Sequence, residues 1–213
     1  MRLINGVPYA DRRMSSWRDR LNKFGGKTRF VVFRLFVHLA GSEVTPLLGV
    51  LNRAAREAVE SDGDLNVLGE ELEAICQNLL QLKIYWQSAA NEGDVFWKEG
   101  EAGDYVNELF TDSAGRYLSE PDFTTPLADN EPLSIAVTQN VIVMITVAYE
   151  GEVPELETNL ASVEYLEAGL KALINLHYKE SLQAIQVHFS PAQLGDELTD
   201  EHILLNFPEL VPL

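Results

Sequence analysis

The stretch that decides the fold class is NVIVMITVAY, residues 140–149, a continuous apolar run of strand length between polar ends. Its β-branched content and lack of alternation suit a central strand covered on both faces. After the loop EGEVPELETN, Leu160, Val163, Leu166, Leu170, Leu173 and Ile174 recur at helical spacing as far as about Asn175. Ile185, Val187 and Phe189 then alternate with Ala184, Gln186 and His188, which predicts a strand with one dry face and one partly polar face. A strand, helix and strand joined by a right-handed crossover place the two strands parallel when they share a sheet. Thr199 opens a last short helix that contains Ile203 and Leu204 and ends at Pro208.

Upstream, FVVFRLFVHL (residues 30–39) puts Val31, Phe33, Leu35, Val37 and Leu39 on the odd positions, while Arg34 and His38 interrupt the even ones. Period two with β-branched and aromatic residues predicts a first strand. Thr45 as a cap, with Pro46 at the first helical position, marks a helix start, and Leu47, Leu48, Val50, Leu51, Ala54, Ala55, Ala58 and Val59 carry that helix to about Glu60. Beyond the turn SDGD, Leu65, Leu68, Leu72, Ile75, Leu79, Leu82 and Trp86 alternate steps of three and four, a single apolar seam. It is too short for an extended coiled coil and predicts packing on the preceding helix. A less regular helix follows over about residues 102–118, and SEPDFTTPLADNEPL (residues 119–133) reads as a surface loop.

The expected architecture is thus α/β (α+β): a small three-stranded sheet with a βαβ unit at the C-terminal end, packed against an N-terminal helical layer. The divisions are a basic arm over residues 1–28 and one α/β domain over 29–213, helical over about 41–120, looped over 120–133 and βαβα over 134–213. Three strands leave open edges, which must be covered or paired with another chain, so sheet edges offer a route to a homo-oligomer.

Composition narrows the class of function. At 213 residues with 46% hydrophobic and 23% charged side chains, the chain is ordinary globular protein. One cysteine, Cys76, allows neither an internal disulfide nor a multi-cysteine zinc site and fits a reducing compartment. No apolar stretch reaches the roughly 18 residues a spanning helix needs, so a cytoplasmic protein is expected. The net charge of −17 is unevenly laid out. Up to residue 34 nine cations face only Asp11 and Asp19, a net +7, which leaves −24 on the remainder. The cations Arg12, Arg13, Arg18, Arg20, Lys23, Lys27 and Arg29 are the candidate partner-binding residues. Such an arm can fold back onto its own acidic domain, dock on a protein partner, or associate peripherally with an anionic membrane. Nucleic acid is not the expected target, because the acidic body repels phosphate and the arm interleaves few aromatics with its cations.

Several motifs imitate chemistry. GGKT at residues 25–28 resembles the end of a phosphate loop, but Leu21 stands where the first glycine belongs and a strand follows where a helix is needed, so a hinge is expected. Asp62, Asp64, Asn66 and Glu73 match four positions of a calcium loop, yet Val67 occupies the glycine position, so acidic helix capping is expected. The run GDELTDEH holds Asp196, Glu197, Asp200, Glu201 and His202, a set that could bind a divalent ion or supply an acid and a base; capping by Thr199, with Asp200 and Glu201 in the first turn complementing the helix dipole, is the expected reading. His38 and His188 lie on the polar side of expected strands and could approach one another, but lack a third ligand or a nucleophile. No catalytic residue, metal site or cofactor is expected. Trp86, Phe96 and Trp97 read as cover for the helical core, and Cys76 as a small packed thiol.

The chain's ending carries one family resemblance. LQAIQVHFSPAQ followed by GDELTDEHILLNFPELVPL is similar to the domain of unknown function 1517 family of cyanobacteria and chloroplasts, with Phe207 where that pattern has tyrosine. NVIVMITVAYEG with LEAGLKALINL is also similar, and LLQLKIYWQSA and the first strand more weakly, so the resemblance spans about residues 29–213. The Gly-rich stretch and hydrophobic anchor that usually precede the domain are missing, which argues against attachment by a spanning helix. The family brings no catalytic residues to carry over, and its plastid members are associated with photosynthetic membranes and light acclimation. The resemblance therefore implies a non-enzymatic interaction or regulatory module acting at the cytoplasmic face of thylakoids. The alternative expectation is a small-ligand binder or metal-dependent enzyme built on the Asp196 to His202 cluster with His188.

Overall fold

Residues 30–40 are buried on both faces and therefore need neighbours on every side. In the computed structural model, which describes the backbone of residues 3–6 together with residues 28–116, 139–191 and 197–213, they have them. In chain order the elements are β1 (Leu3–Gly6), β2 (Phe30–Ala40), α1 (Thr45–Glu60), α2 (Leu65–Gln81), β3 (Trp86–Phe96), α3 (Glu99–Gly115), β4 (Asn140–Glu150), α4 (Val163–Tyr178), β5 (Leu182–Ser190), α5 (Asp200–Asn206) and β6 (Val211–Pro212). The sheet order is β1-β5-β4-β2-β3-β6, and every described pairing is antiparallel.

Two expectations are corrected here. The sheet has six strands rather than three, and the strands of the expected βαβ unit, β4 and β5, run antiparallel, with Tyr149 opposite Leu182 and Ile142 opposite Ser190. The physical reason lies in the connection 151–162. Its Leu156 and Leu160 are buried at 1% and 0% exposure, so it is laid across the molecule as a packed stripe. That stripe makes the return journey before α4, whose 16 residues span about 24 Å, carries the chain back to the end of β4. The crossover between parallel strands occurs elsewhere: β3 and β4 both pair antiparallel with β2, so they are parallel to each other on its two sides, and α3 lies on the path between them.

β3 itself falls within the part expected to be helical. The apolar seam ends earlier than its periodicity suggests, because α2 stops at Gln81 and Trp86 begins a strand. The Trp86 indole N–H still reaches back to donate to Leu79 O at 3.0 Å, which keeps the ring in the helical core that the seam predicts.

Helices cover both faces of the sheet, not one N-terminal layer. On the first face the odd residues of β2 and β4, with Ile185, Val187 and Phe189 of β5, meet Leu51, Leu72, Ile75, Leu79, Leu166 and Leu170 of α1, α2 and α4. Gly69 of α2 brings α2 close to α4, since a Cβ there would fall 2.1 Å from His177 Nδ1. On the second face α3 packs Ala102, Val106 and Leu109 over Val32, Ala148 and Ala184. Leu198, Ile203 of α5 and Phe207 pack over Phe36, Ile142 and Met144.

The caps follow the sequence. Asp64 accepts from the N–H groups of Asn66 (2.9 Å) and Val67 (3.2 Å) at the start of α2, Ser162 caps α4 and Thr199 caps α5. The apparent calcium positions are thus a turn and a cap, with Asp62 (φ 53°) and Gly63 (φ 75°) turning the chain between α1 and α2. Thr45 is the first residue of α1 rather than its cap, and its hydroxyl donates to Ser42 O.

Candidate functional site

The even residues of β2, β4 and β5 place a polar row across the second face. Register sets Glu92, Arg34, Thr146 and Gln186 side by side on β3, β2, β4 and β5, with His188 one step further along β5 opposite Met144. Arg34 is 2% exposed, and Thr146, Gln186 and His188 are each 1% exposed. A buried guanidinium requires acceptors on every side. Arg34 Nε donates to Glu92 Oε1 at 2.7 Å, and Nη1 donates to Asp112 Oδ2 (2.7 Å), Ser113 Oγ (2.8 Å) and Leu109 O (3.1 Å) of α3. Asp112 also accepts from Arg116, which donates further to Asn206 O and Glu209 Oε1. Burial alone would raise the Asp112 pKa, but the two arginine hydrogen bonds hold it below the ordinary value. Both guanidinium groups lie against the Phe36 ring, at 4.8 and 5.2 Å from its centroid.

The rest of the row is not satisfied. Thr146 Oγ1, Gln186 Oε1 and both ring nitrogens of His188 are buried without a hydrogen-bond partner. Burial and the Arg34 charge push the His188 pKa down to about 4, so the ring is neutral at pH 7 and packs against Phe110 at 5.2 Å. His38 is different: Nε2 lies 3.2 Å from Asn140 Oδ1 and Nδ1 3.1 Å from Ser88 Oγ. Asn140 Nδ2 donates to Leu198 O, which identifies Oδ1 as the acceptor and Nε2 as the protonated nitrogen of His38.

The accessible site lies at the end of this row, along β3. β6 pairs only with Ser88 and Ala89. Because Ala89 faces Val211 across that ladder and Pro212 stands opposite Ser88, the odd residues of β3 turn their backbone groups outward. Past Ala89 those are Asn91, Gly93 and Val95, and no other strand among the described residues pairs with them. Val95 N–H takes the Asp94 carboxylate instead. The Asn91 side chain accepts from Leu160 N (2.7 Å) and donates to Thr158 O (2.9 Å), which fixes the 151–162 stripe beside the strand. Between the stripe and Arg116, Glu209 and Val211 opens a groove of about 770 Å³ whose floor is β3 and the backbone of β2 behind Gly93. Gly93 has to be glycine, since a Cβ would sit 2.5 Å from Val32 O.

Of the arm cations named from the sequence, Arg12, Arg13, Arg18, Arg20, Lys23 and Lys27 lie outside the described residues, as do Asp196, the GGKT glycines and the loop 119–133. Arg29 is described and is engaged within the domain: its guanidinium holds Glu157 by two bonds of 2.8 and 2.6 Å and Gly151 O by a third. The Arg29 hydrogen bonds lower the Glu157 pKa. His38 and His188 sit on strands flanking β4, opposite Ile142 and Met144, so two strand spacings, about 10 Å, separate them. Asp200, Glu201 and His202 are exposed on α5, whereas His188 is sealed beneath α3, so these residues do not converge. Among the described residues no group of three or more His, Cys, Asp or Glu side chains could hold a metal ion. Cys76 is fully buried, and burial raises its pKa.

Asn91, Glu92, Asp94, Arg116 and Glu209 were not anticipated from the sequence. One signal could have found the first strand's partner: Arg34 and His38 are spaced by four, and so are Ser88 and Glu92, the residues that meet them in antiparallel register.

Among the described residues no helix is long and apolar enough to cross a membrane. No curated protein and no solved structure matches the chain. A family model does, over residues 29–213, which takes in all but β1 of the sheet, both helical layers and the β3 groove; the chain belongs to the family described as protein of unknown function, DUF1517.

Proposed function

We propose that the chain is a non-enzymatic interaction module that binds a protein partner, working at the cytoplasmic face of photosynthetic membranes in a cyanobacterium and taking part in light acclimation. The observation that carries the binding role is the groove along β3: an edge left open among the described residues, walled on both sides, with three of its four carboxylates held in ion pairs. Glu92 serves Arg34, Glu209 serves Arg116 and Glu157 serves Arg29. Groups held in ion pairs this way shape a surface rather than exchange protons with a substrate. The sealed positions of His38 and His188 support the same reading over acid–base chemistry. The basic arm supplies long-range attraction and the acidic body supplies discrimination against other anionic surfaces. The membrane setting and the acclimation role rest on family context alone.

Sedimentation of the full chain with thylakoid membranes, at rising salt, tests the proposal. Retention at low ionic strength is expected, with loss at high salt and loss in a variant carrying glutamine at Arg12, Arg13, Arg18, Arg20, Lys23 and Lys27. Retention insensitive to both changes sinks the role of the arm.

A further inference from the structure

Among the described residues the edge of β3 is open over most of its length. β2 and β4 have a long neighbour on each side and β5 pairs with β1 at four of its nine residues, whereas β3 has eleven residues of which β6 covers two. From Ala90 to Val95 the edge is about 20 Å long, room for a segment of five to seven extended residues. Asn91 and Gly93 each turn an N–H and a C=O toward the groove, the groups by which an incoming strand is held. The two walls differ in chemistry. Leu156, Thr158, Asn159 and Ala161 stand on the stripe side with Glu157, which Arg29 neutralises, while Glu92, Asp94 and Glu209 gather on the other with Arg116. An added strand points successive side chains to opposite faces, so its residues would meet the Leu156 and Ala161 wall, whose one carboxylate is neutralised, and the acidic wall in turn.

Charge selects the occupant. Glu92, Asp94, Glu157 and Glu209 line the groove; Arg34, Arg29 and Arg116 hold the three glutamates, which leaves the Asp94 carboxylate in excess, in a chain of net charge −17. A second copy would bring the same carboxylates edge to edge, and like charges directly opposite are destabilising. We propose that this groove takes an extended segment of another protein, alternating basic and apolar residues, as an added strand on β3. This rests on the interaction reading above and names the chemistry of the partner.

The test uses the full chain and a labelled peptide, acetyl-Lys-Val-Lys-Val-Lys-Val-Lys-amide, titrated by fluorescence anisotropy at low salt. Saturable binding is expected, with slowed amide hydrogen exchange at Asn91 and Gly93. N-methylation of alternate peptide amides keeps every charge but removes donors, and is expected to weaken binding at least tenfold. Asp94→Lys, at an exposed position, is expected to weaken it about fivefold. Equal affinity for the methylated peptide, or protection spread over the acidic surface, overturns strand addition. Binding seen only after residues 1–28 are removed overturns the external partner in favour of the chain's own arm. A concentration-dependent dimer that the peptide dissociates overturns it in favour of a second copy. Peptide binding without salt-sensitive membrane retention leaves the groove standing and removes the role of the arm; membrane retention without peptide binding does the reverse.

Discussion

The two faces of one sheet are built on opposite principles. The face toward α1, α2 and α4 is a continuous apolar core in which the odd residues of β2 and β4 interdigitate with leucines, the buried hydroxyl of Tyr149 being its unpartnered polar atom. The face toward α3 and α5 is cut into two apolar clusters by the row from Glu92 through Arg34 and Thr146 to Gln186 and His188. The first face needs only volume and fit. The second stays intact only while its charges keep their partners, because an uncompensated buried charge costs several kcal/mol.

Four measurements break or sharpen this contrast. The largest effect is expected from Arg34→Ala, which leaves the buried Ser113 hydroxyl and Leu109 carbonyl without their donor and opens a cavity beneath α3; urea denaturation should show a loss of about 4 kcal/mol. Leu72→Ala, on the apolar face, should cost about 3 kcal/mol by leaving a cavity. If the apolar substitution proves the more damaging, the polar row is not what holds the second face together. Next comes pH. The His188 pKa is depressed in the folded chain, so the unfolded chain takes up its proton first as pH falls. The neutral ring's contribution is therefore full above about pH 6.5 and is lost as pH falls toward about 4, up to about 2 to 3 kcal/mol. Stability against pH in His188→Leu should lack this slope; an unchanged slope refutes the assignment. The smallest effect is Thr146→Val, which removes a buried hydroxyl with no partner and should stabilise by about 1 kcal/mol, read as a rise in Tm.

The apolar face was the legible one. β2 and β4 and the seam of α2 follow from periodicity, because each element advertises its own burial within one stretch of chain. The polar face was not, because its meaning is distributed over strands far apart in sequence. Arg34 looks like an interruption until Glu92 is set opposite it, and WQSAANEGDVF has too little β-branched content to declare itself a strand. It becomes one because β2 offers it a ladder over its whole length and because Gly93 permits a backbone approach that side chains would block. The direction of β5 was hidden for a related reason. Leu160 extends the helical spacing backwards, whereas the helix begins after the Ser162 cap and Leu160 belongs to the stripe that reverses the path. The groove is formed from that stripe, from β3 and from the C-terminal turn, so no single segment of sequence outlines it.

Glu92 and Glu209 have a double allegiance. They stand on the rim that solvent reaches, and they are also the counterions of Arg34 and Arg116, whose neutralisation keeps the inner row closed. A visiting ammonium or guanidinium group at that rim therefore competes with resident arginines for the same oxygens. Occupancy of the surface and tightness of the interior become one linked equilibrium: the visitor's strength is capped by how firmly the residents hold on, and loosening Arg34 should make the rim more hospitable to strangers.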